Sequence, residues 1–294
     1  MKKIAVVTDS HSSISPAEAS LLGVFVLPMP FDVDGQDYFE GVNLTREEFF
    51  AHQQAGAVIG TSQPAPADVL ALWDELLKEY ETLLYMPISS GLSGSCQTAM
   101  GLAEDEPYAG RVFVVDNGRV ATPLHQSILD ALELIAKGCT AAQCKAALEA
   151  ARDELTIYIA VQTLEYLRKG GRISATTAAV GTILNIKPIL QLTTGKLESY
   201  KKARGMAKAR EIMLESIRSD LAIRFQEAHA RGDVHLLDAV SADPLTTAKW
   251  LKQIETAFPG MPIMYDDLSM GVSCHTGEGA LGIGLSVRPS RQNA

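Results

Sequence analysis

Leu83-Leu84-Tyr85-Met86-Pro87-Ile88-Ser89-Ser90-Gly91-Leu92-Ser93-Gly94-Ser95 runs from a short apolar stretch into a turn of glycine and serine. Residues 97–103 then read as helical. Four apolar residues at 83–86 are too few for an amphipathic helix face and read as a buried strand. A strand that passes through such a turn into a helix is the opening half of a parallel crossover unit. In a parallel sheet the turn lies at the carboxyl end of the strand, where ligands usually bind.

The same alternation extends outward in both directions. Residues 4–7, 24–27 and 112–115 are further short apolar runs. Residues 68–80 place Val69, Leu72, Trp73, Leu76 and Leu77 on one helical face. Residues 122–137 form another helical pattern, closed by Gly138. Thr45 with Glu48 and Thr140 with Gln143 have the spacing of a capping box, which opens a helix. Short strands alternating with such helices predict a parallel, helix-covered α/β sheet.

The second half reads differently. Residues 157–161 are strand-like, 164–167 follow, and Gly170-Gly171 breaks the chain. A helical stretch is expected near 175–184. Residues 188–192 and 196–202, joined through Thr194-Gly195, read as a β-hairpin. A long helix over 206–230, a strand at 234–240, a helix at 245–258 and strands at 263–265 and 281–287 complete the pattern. This predicts an α+β domain with a mixed or antiparallel sheet. At about 150 residues per domain, 294 residues give a prior of two. The expected division is 1–158 and 159–294, with a ligand cleft where the two abut.

Composition narrows the function classes. Hydrophobic residues at 47% and charged residues at 21% exclude disorder. The net charge of −9 argues against broad nucleic-acid binding, which needs a basic surface. It also means that any bound anion must be gripped by local donors. Aromatic residues are only 6%, which weakens a base-stacking or sugar-stacking reading. Cys96, Cys139, Cys144 and Cys274 form no C-x-x-C pair, so a metal site is not expected and a reducing compartment is. Lys2-Lys3 precedes too short an apolar run for a signal peptide, and no apolar stretch approaches the ~18 residues of a membrane span. A cytoplasmic protein is expected, with at most transient membrane contact.

Four serines stand in the seven residues 89–95, more than helix capping requires. Hydroxyls, glycines and helix amides together make an anion cradle. The bland reading is a strand-to-helix turn. Ser93 as a hydrolase nucleophile would need glycine at 95 to complete the nucleophile elbow, and Ser95 stands there. A Ser93/His275 enzyme acting on an acyl or phosphoryl ester is the alternative reading. Gly277-Glu278-Gly279-Ala280-Leu281-Gly282 fits G-x-G-x-x-G, but no βαβ unit follows, so it is a decoy for dinucleotide binding. No phosphate-binding P-loop is present. Thr61-Ser62-Gln63-Pro64 reads as a capping turn when taken alone. The basic clusters Arg168-Lys169 with Arg172, and Lys201-Lys202 with Arg204, read as solvated faces able to offset a phosphate. Asp9 is ambiguous between a capping role and a polar contact in a cleft.

Taken in order, these pieces resemble the DegV family, the bacterial fatty-acid-binding proteins that include binding subunits of fatty-acid kinases. Thr8-Asp9-Ser10 follows the first strand. Thr61-Ser62-Gln63-Pro64 matches the family's T-S-Q-P element, and Ser89 to Ser95 its S-S-x-L-S-G-T element with Ser95 for threonine. Val115-Asp116-Asn117 stands where the family has D-S or D-T. Leu164 to Ile173 matches L-x-x-L-x-x-G-G-R-I, and Ile186-Lys187-Pro188 and His275-Thr276-Gly277-Glu278-Gly279 complete the set. The resemblance implies a two-domain protein that holds a long-chain fatty acid between its domains and needs no cofactor. It implies a carboxylate gripped by Thr61, Ser62, Ser93, Gly94 and His275. Arg172, Lys201, Lys202 and Arg204 are implied at the head group or a partner surface. The implied partners are a kinase subunit that makes an acyl phosphate and an acyltransferase of phospholipid synthesis. The chain itself would be a carrier, not an enzyme.

Overall fold

The structure, a computed structural model, describes residues 2–173, 185–193 and 196–290. Its strands are β1 (Lys2–Asp9), β2 (Phe25–Leu27), β3 (Pro30–Val33), β4 (Gln36–Phe39), β5 (Ile59–Thr61), β6 (Tyr80–Met86), β7 (Val112–Val114), β8 (Leu155–Ala160), β9 (Ile186–Thr193), β10 (Lys196–Arg204), β11 (Val234–Val240), β12 (Ile263–Asp267) and β13 (Leu281–Val287). The helical stretch expected at 175–184 and the Thr194-Gly195 turn lie outside the described residues.

The chain forms two compact units. Met1–Asp153 with Ser269–Gly271 and Pro289–Ala294 makes the first, and Glu154–Leu268 with Val272–Arg288 the second. The expected division at 158/159 would cut β8. That strand pairs along its length with β9 and β13, so it belongs whole to the second unit.

In the first unit β2, β1, β6 and β7 make a parallel sheet in that order, as the alternation of short strands and helices predicts. Successive side chains of a strand point to opposite faces. Ala5 and Val7 of β1 therefore join one core with Leu83, Tyr85 and Val114, while Val6 joins the other with Leu84 and Met86. The helices Pro66–Leu76 and Ser95–Glu104 cover the first face through Val69, Trp73, Cys96 and Ala99. The helices Thr122–Ala136 and Ala141–Ala150 cover the second through Leu124, Ile128, Cys144 and Leu148. Burial on both faces is why each strand reads as an unbroken apolar run. Each such Leu or Val side chain contributes about 1.5–3 kcal/mol.

Both capping boxes are present, at Thr45 with Glu48 and at Thr140 with Gln143. The helix expected over 68–80 begins earlier, with Pro66 in its first turn, and stops at Leu76 because Tyr80 already opens β6. A small antiparallel sheet, β4-β3-β5, adds to the pattern read from the sequence. Its strands have only three or four residues, too short to carry a period.

The second unit holds a six-stranded sheet in the order β10-β9-β8-β13-β11-β12. Neighbours run antiparallel except β11 and β12, which makes the sheet mixed, as expected. The β9–β10 hairpin pairs Leu192 with Leu197 and Pro188 with Lys202. The helices Gly205–Ala222 and Pro244–Ala257 pack on one face through Met213, Ile217, Trp250 and Ile254. The single helix expected over 206–230 is broken after Ala222. The Phe225 amide reaches back to the Asp220 carbonyl at 2.8 Å, which turns Phe225 into the core and leaves Ile223 exposed. Gly282 falls inside the central strand β13, where a Cβ would come within 2.9 Å of the Ala239 carbonyl. The glycines of the dinucleotide-like pattern thus serve a turn and a crowded sheet.

Candidate functional site

In the first unit the chain order puts β1 and β6 side by side, with β2 beyond one and β7 beyond the other. The loops that leave β1 and β6 therefore diverge at the sheet's switch point, where α/β proteins usually bind ligands. Asp9 ends β1 fully buried and accepts the amides of His11 at 3.0 Å and Ile88 at 2.8 Å. It thus caps the short turn Ser10–Ser12 and ties the two loops together.

The serine turn closes on itself. The Ser89 carbonyl accepts the amides of Leu92 at 3.0 Å and Ser93 at 3.1 Å. The Ser89 hydroxyl accepts Gly91 N–H at 3.2 Å, and Ser93 Oγ accepts Ser95 N–H at 3.3 Å. An oxygen whose lone pair takes an amide proton directs its own hydroxyl proton elsewhere, so Ser93 is set up as a donor. Ser93 is half-buried, and Gly94 is the exposed N-cap of Ser95–Glu104 with no side chain capping it. The positive end of a ten-residue helix thus begins at this turn. Ser95 Oγ is buried and has no hydrogen-bond partner among the described residues.

Thr61 ends β5, its backbone register set by pairing with Phe31 of β3. Helix Pro66–Leu76 is capped at Ala65 without a side-chain bond, so neither Thr61 nor Ser62 is the cap that the bland reading required. Gln63 links this segment to the serine turn. Its Oε1 accepts the Thr98 hydroxyl at 3.1 Å and lies 3.4 Å from where a Cβ on Gly94 would stand. Residues 61–63 and 93–95 are therefore brought together.

In the second unit His275 sits near the end of the helix Met270–Thr276, just before the glycine turn. Its ring packs against the backbone of Gly170, where a Cβ would overlap Nδ1 and Cε1. Two residues on, a Cβ at Gly277 would meet the Tyr166 ring at 2.7 Å. The Arg172 guanidinium donates to the Gly170 carbonyl. The sequence elements at 164–173 and 275–279 thus form one structural feature. Ile173 also bridges to Leu197 of β10, the strand that carries Lys201, Lys202 and Arg204 with their side chains exposed. Lys201 Nζ lies 4.7 Å over the Tyr200 ring.

Thr61, Ser62, Ser93 and Gly94 belong to the first unit; His275, Arg172, Lys201, Lys202 and Arg204 belong to the second. Asp116 is a residue that the site reading did not single out. Burial alone would raise its carboxyl, but hydrogen bonds from Ser90 and the Arg152 guanidinium hold it below the usual carboxylate range. Its place two residues past a strand of the parallel sheet was the available signal. Among the described residues no three His, Cys, Asp or Glu side chains gather as a metal site. No described helix is long and apolar enough to cross a membrane.

Similarity to known proteins extends along nearly the whole chain. A protein of Deinococcus radiodurans described as DegV domain-containing is 32% identical over 285 residues, covering 96% of this chain and 98% of that protein. A solved DegV family protein from Thermus thermophilus, described by its fatty-acid binding, is 33% identical with a TM-score of 0.85, covering 97% of this chain and 99% of that one. A fatty-acid-binding DegV family protein from Streptococcus agalactiae has 26% identity and a TM-score of 0.85, covering 98% and 99%. The family model described as "Uncharacterised protein, DegV family" matches residues 3–288. With that model spanning nearly the whole chain and a relative 32% identical over 96% of it, the chain belongs to the DegV family.

Proposed function

We propose that this protein binds a long-chain fatty acid, with the carboxylate held by Thr61, Ser62, Ser93, Gly94 and His275 and the tail buried in the apolar interior. The observation that carries the reading is the Ser93 hydroxyl, which accepts Ser95 N–H and so keeps its proton for an anion. Gly94 adds the uncapped start of a helix beside it. The fatty-acid binding described for the Thermus thermophilus and Streptococcus agalactiae relatives supports the ligand class.

The energetics suit such a ligand. About ten buried methylenes at ~0.8 kcal/mol each give on the order of 8 kcal/mol before association costs. A carboxylate taken from water needs hydrogen bonds to offset desolvation, and neutral hydroxyls supply them without adding net charge. The net charge of −9 is then no obstacle, since the tail provides most of the affinity.

In this reading the chain is a cytoplasmic carrier with at most transient membrane contact. It presents the acid to a kinase subunit that transfers a phosphoryl group from a nucleoside triphosphate to the carboxylate oxygen. An acyltransferase of phospholipid synthesis consumes the resulting acyl phosphate. Arg172, Lys201, Lys202 and Arg204 face the head group or the partner. The test is mass spectrometry of the organic extract of purified protein, which should show one long-chain fatty acid per chain. Lipid-free protein that also refuses added fatty acid would overturn the proposal.

A further inference from the structure

Ser93 and Gly94 can present donors in a defined direction only if the turn that carries them is held from outside. Its own hydrogen bonds close it between Ser89 and Ser93, and its entry is held where the Ser89 amide donates to the Arg119 carbonyl at 2.9 Å and the Ile88 amide to Asp9 at 2.8 Å. The side chain that holds the turn beyond that entry meets it at Ser90. The Asp116 carboxylate accepts the Ser90 amide at 3.3 Å through Oδ1 and the Ser90 hydroxyl through Oδ2.

Asp116 is itself held on every side. Arg152 Nη1 donates to Oδ2 at 2.7 Å and to the Asp116 carbonyl at 3.1 Å. The Asp116 amide donates to Glu149 Oε1 at 3.1 Å, and Lys145 bonds both Glu149 and the Val114 carbonyl. Only 12% of the Asp116 side chain is exposed. Charge-assisted bonds of this kind are about twice as strong as neutral ones, and a shielded pair keeps more of that strength. The ion pair also answers an electrostatic requirement: a bare carboxylate beside a ligand carboxylate would repel it, and Arg152 cancels that charge.

We infer that Asp116 is a positioning residue for the carboxylate site: clamped by Arg152, it holds Ser90 and so fixes where Ser93 and Gly94 direct their donors. This rests on the fatty-acid reading of the same site. Arg152 and Glu149 act one step further back, tying the turn to the chain around the helix Ala141–Ala150.

The test uses the full chain with Asp116→Ala and Ser90→Ala. Affinities for a long-chain fatty acid and for its methyl ester are measured alongside amide exchange of the ligand-free protein. Both variants should bind the acid about tenfold more weakly, as expected when a supporting contact is lost, and bind the ester essentially as wild type does. Exchange at Ser93 and Ser95 should quicken in both. Equal losses for acid and ester would overturn the inference, because they indicate general loosening of the fold. Unchanged acid affinity in folded variants would overturn it too. Should Asp116→Ala fail to fold, Ser90→Ala carries both readouts. If wild type binds no fatty acid while exchange quickens in the variants, the ligand reading falls but the anchoring of the turn by Asp116 stands.

Discussion

The imidazole of His275 rests against the backbone of Gly170, with no room between them for a methyl group. Gly170 has φ −74° and ψ −11°, an ordinary right-handed conformation. Alanine would suit that backbone, so the glycine is required by the ring and not by the chain path. Gly170→Ala should therefore act mainly by displacing His275, the next contact of the added Cβ being the Tyr166 carbonyl at 3.3 Å. Overpacking of this kind typically costs about 1–3 kcal/mol. In a His275→Ala background the same substitution should cost much less. Urea unfolding of the two single variants and the double variant measures the coupling, and additive losses would show that the ring is not what Gly170 accommodates.

Ser93→Ala tests the donor directly. Removing one hydroxyl that hydrogen-bonds a charged oxygen costs about 1.5–3 kcal/mol. The affinity for a fatty acid should drop accordingly, while that for the methyl ester, which offers no anion, should change little. Parallel titrations with the two ligands decide it; matching losses would remove Ser93 from the carboxylate.

Glu40 supplies a pH signature. Its carboxylate accepts Met270 N–H at 2.6 Å, yet burial outweighs that bond and the nearby His11 and Arg46 charges, and raises the carboxyl above its ordinary value of 4.5. A carboxyl with a raised value in the folded state binds its proton more tightly there than in the unfolded chain. Stability is therefore greatest below 4.5 as far as this group is concerned, and falls as pH rises through its folded value. Glu40→Gln should flatten that slope in thermal melts across the window. An identical slope in the variant would assign the dependence to other groups.

Cys96 and Cys144 should be inert in the native protein. A cysteine at a helix start is ordinarily made more acidic, but burial pushes the Cys96 thiol up to about 12, and the nearby Asp116 charge adds to the effect. Burial does the same to Cys144. All four cysteines are buried. A thiol reagent near pH 8 should thus leave them unmodified until denaturant is added, and rapid native labelling at Cys96 would contradict the burial.

Much of the architecture is legible along the chain because its causes are local. The runs at 4–7 and 83–86 are apolar throughout because both faces of their sheet are covered, and a pattern of four residues suffices to say so. Thr45 and Thr140 announce their helices because the bonds of a capping box span three residues. The β3–β4 hairpin is not legible: the turn pair Asp34-Gly35 stands between two strands of four residues each, too few to mark a period on either side. The bend after Ala222 was missed because a helical pattern cannot show that Phe225 will be drawn into the core.

The sequence by itself determined the two kinds of sheet and the identity of the polar turns, since periodicity, caps and residue type act within a few positions. Tertiary structure alone decided which turns meet. Gln63 reaches Thr98 and Gly94, Asp116 holds Ser90, and Gly170 admits His275, across separations of 26 to 105 residues. Those partners are chosen by strand order and register, which bring distant loops to the same end of a sheet, and no local pattern encodes them.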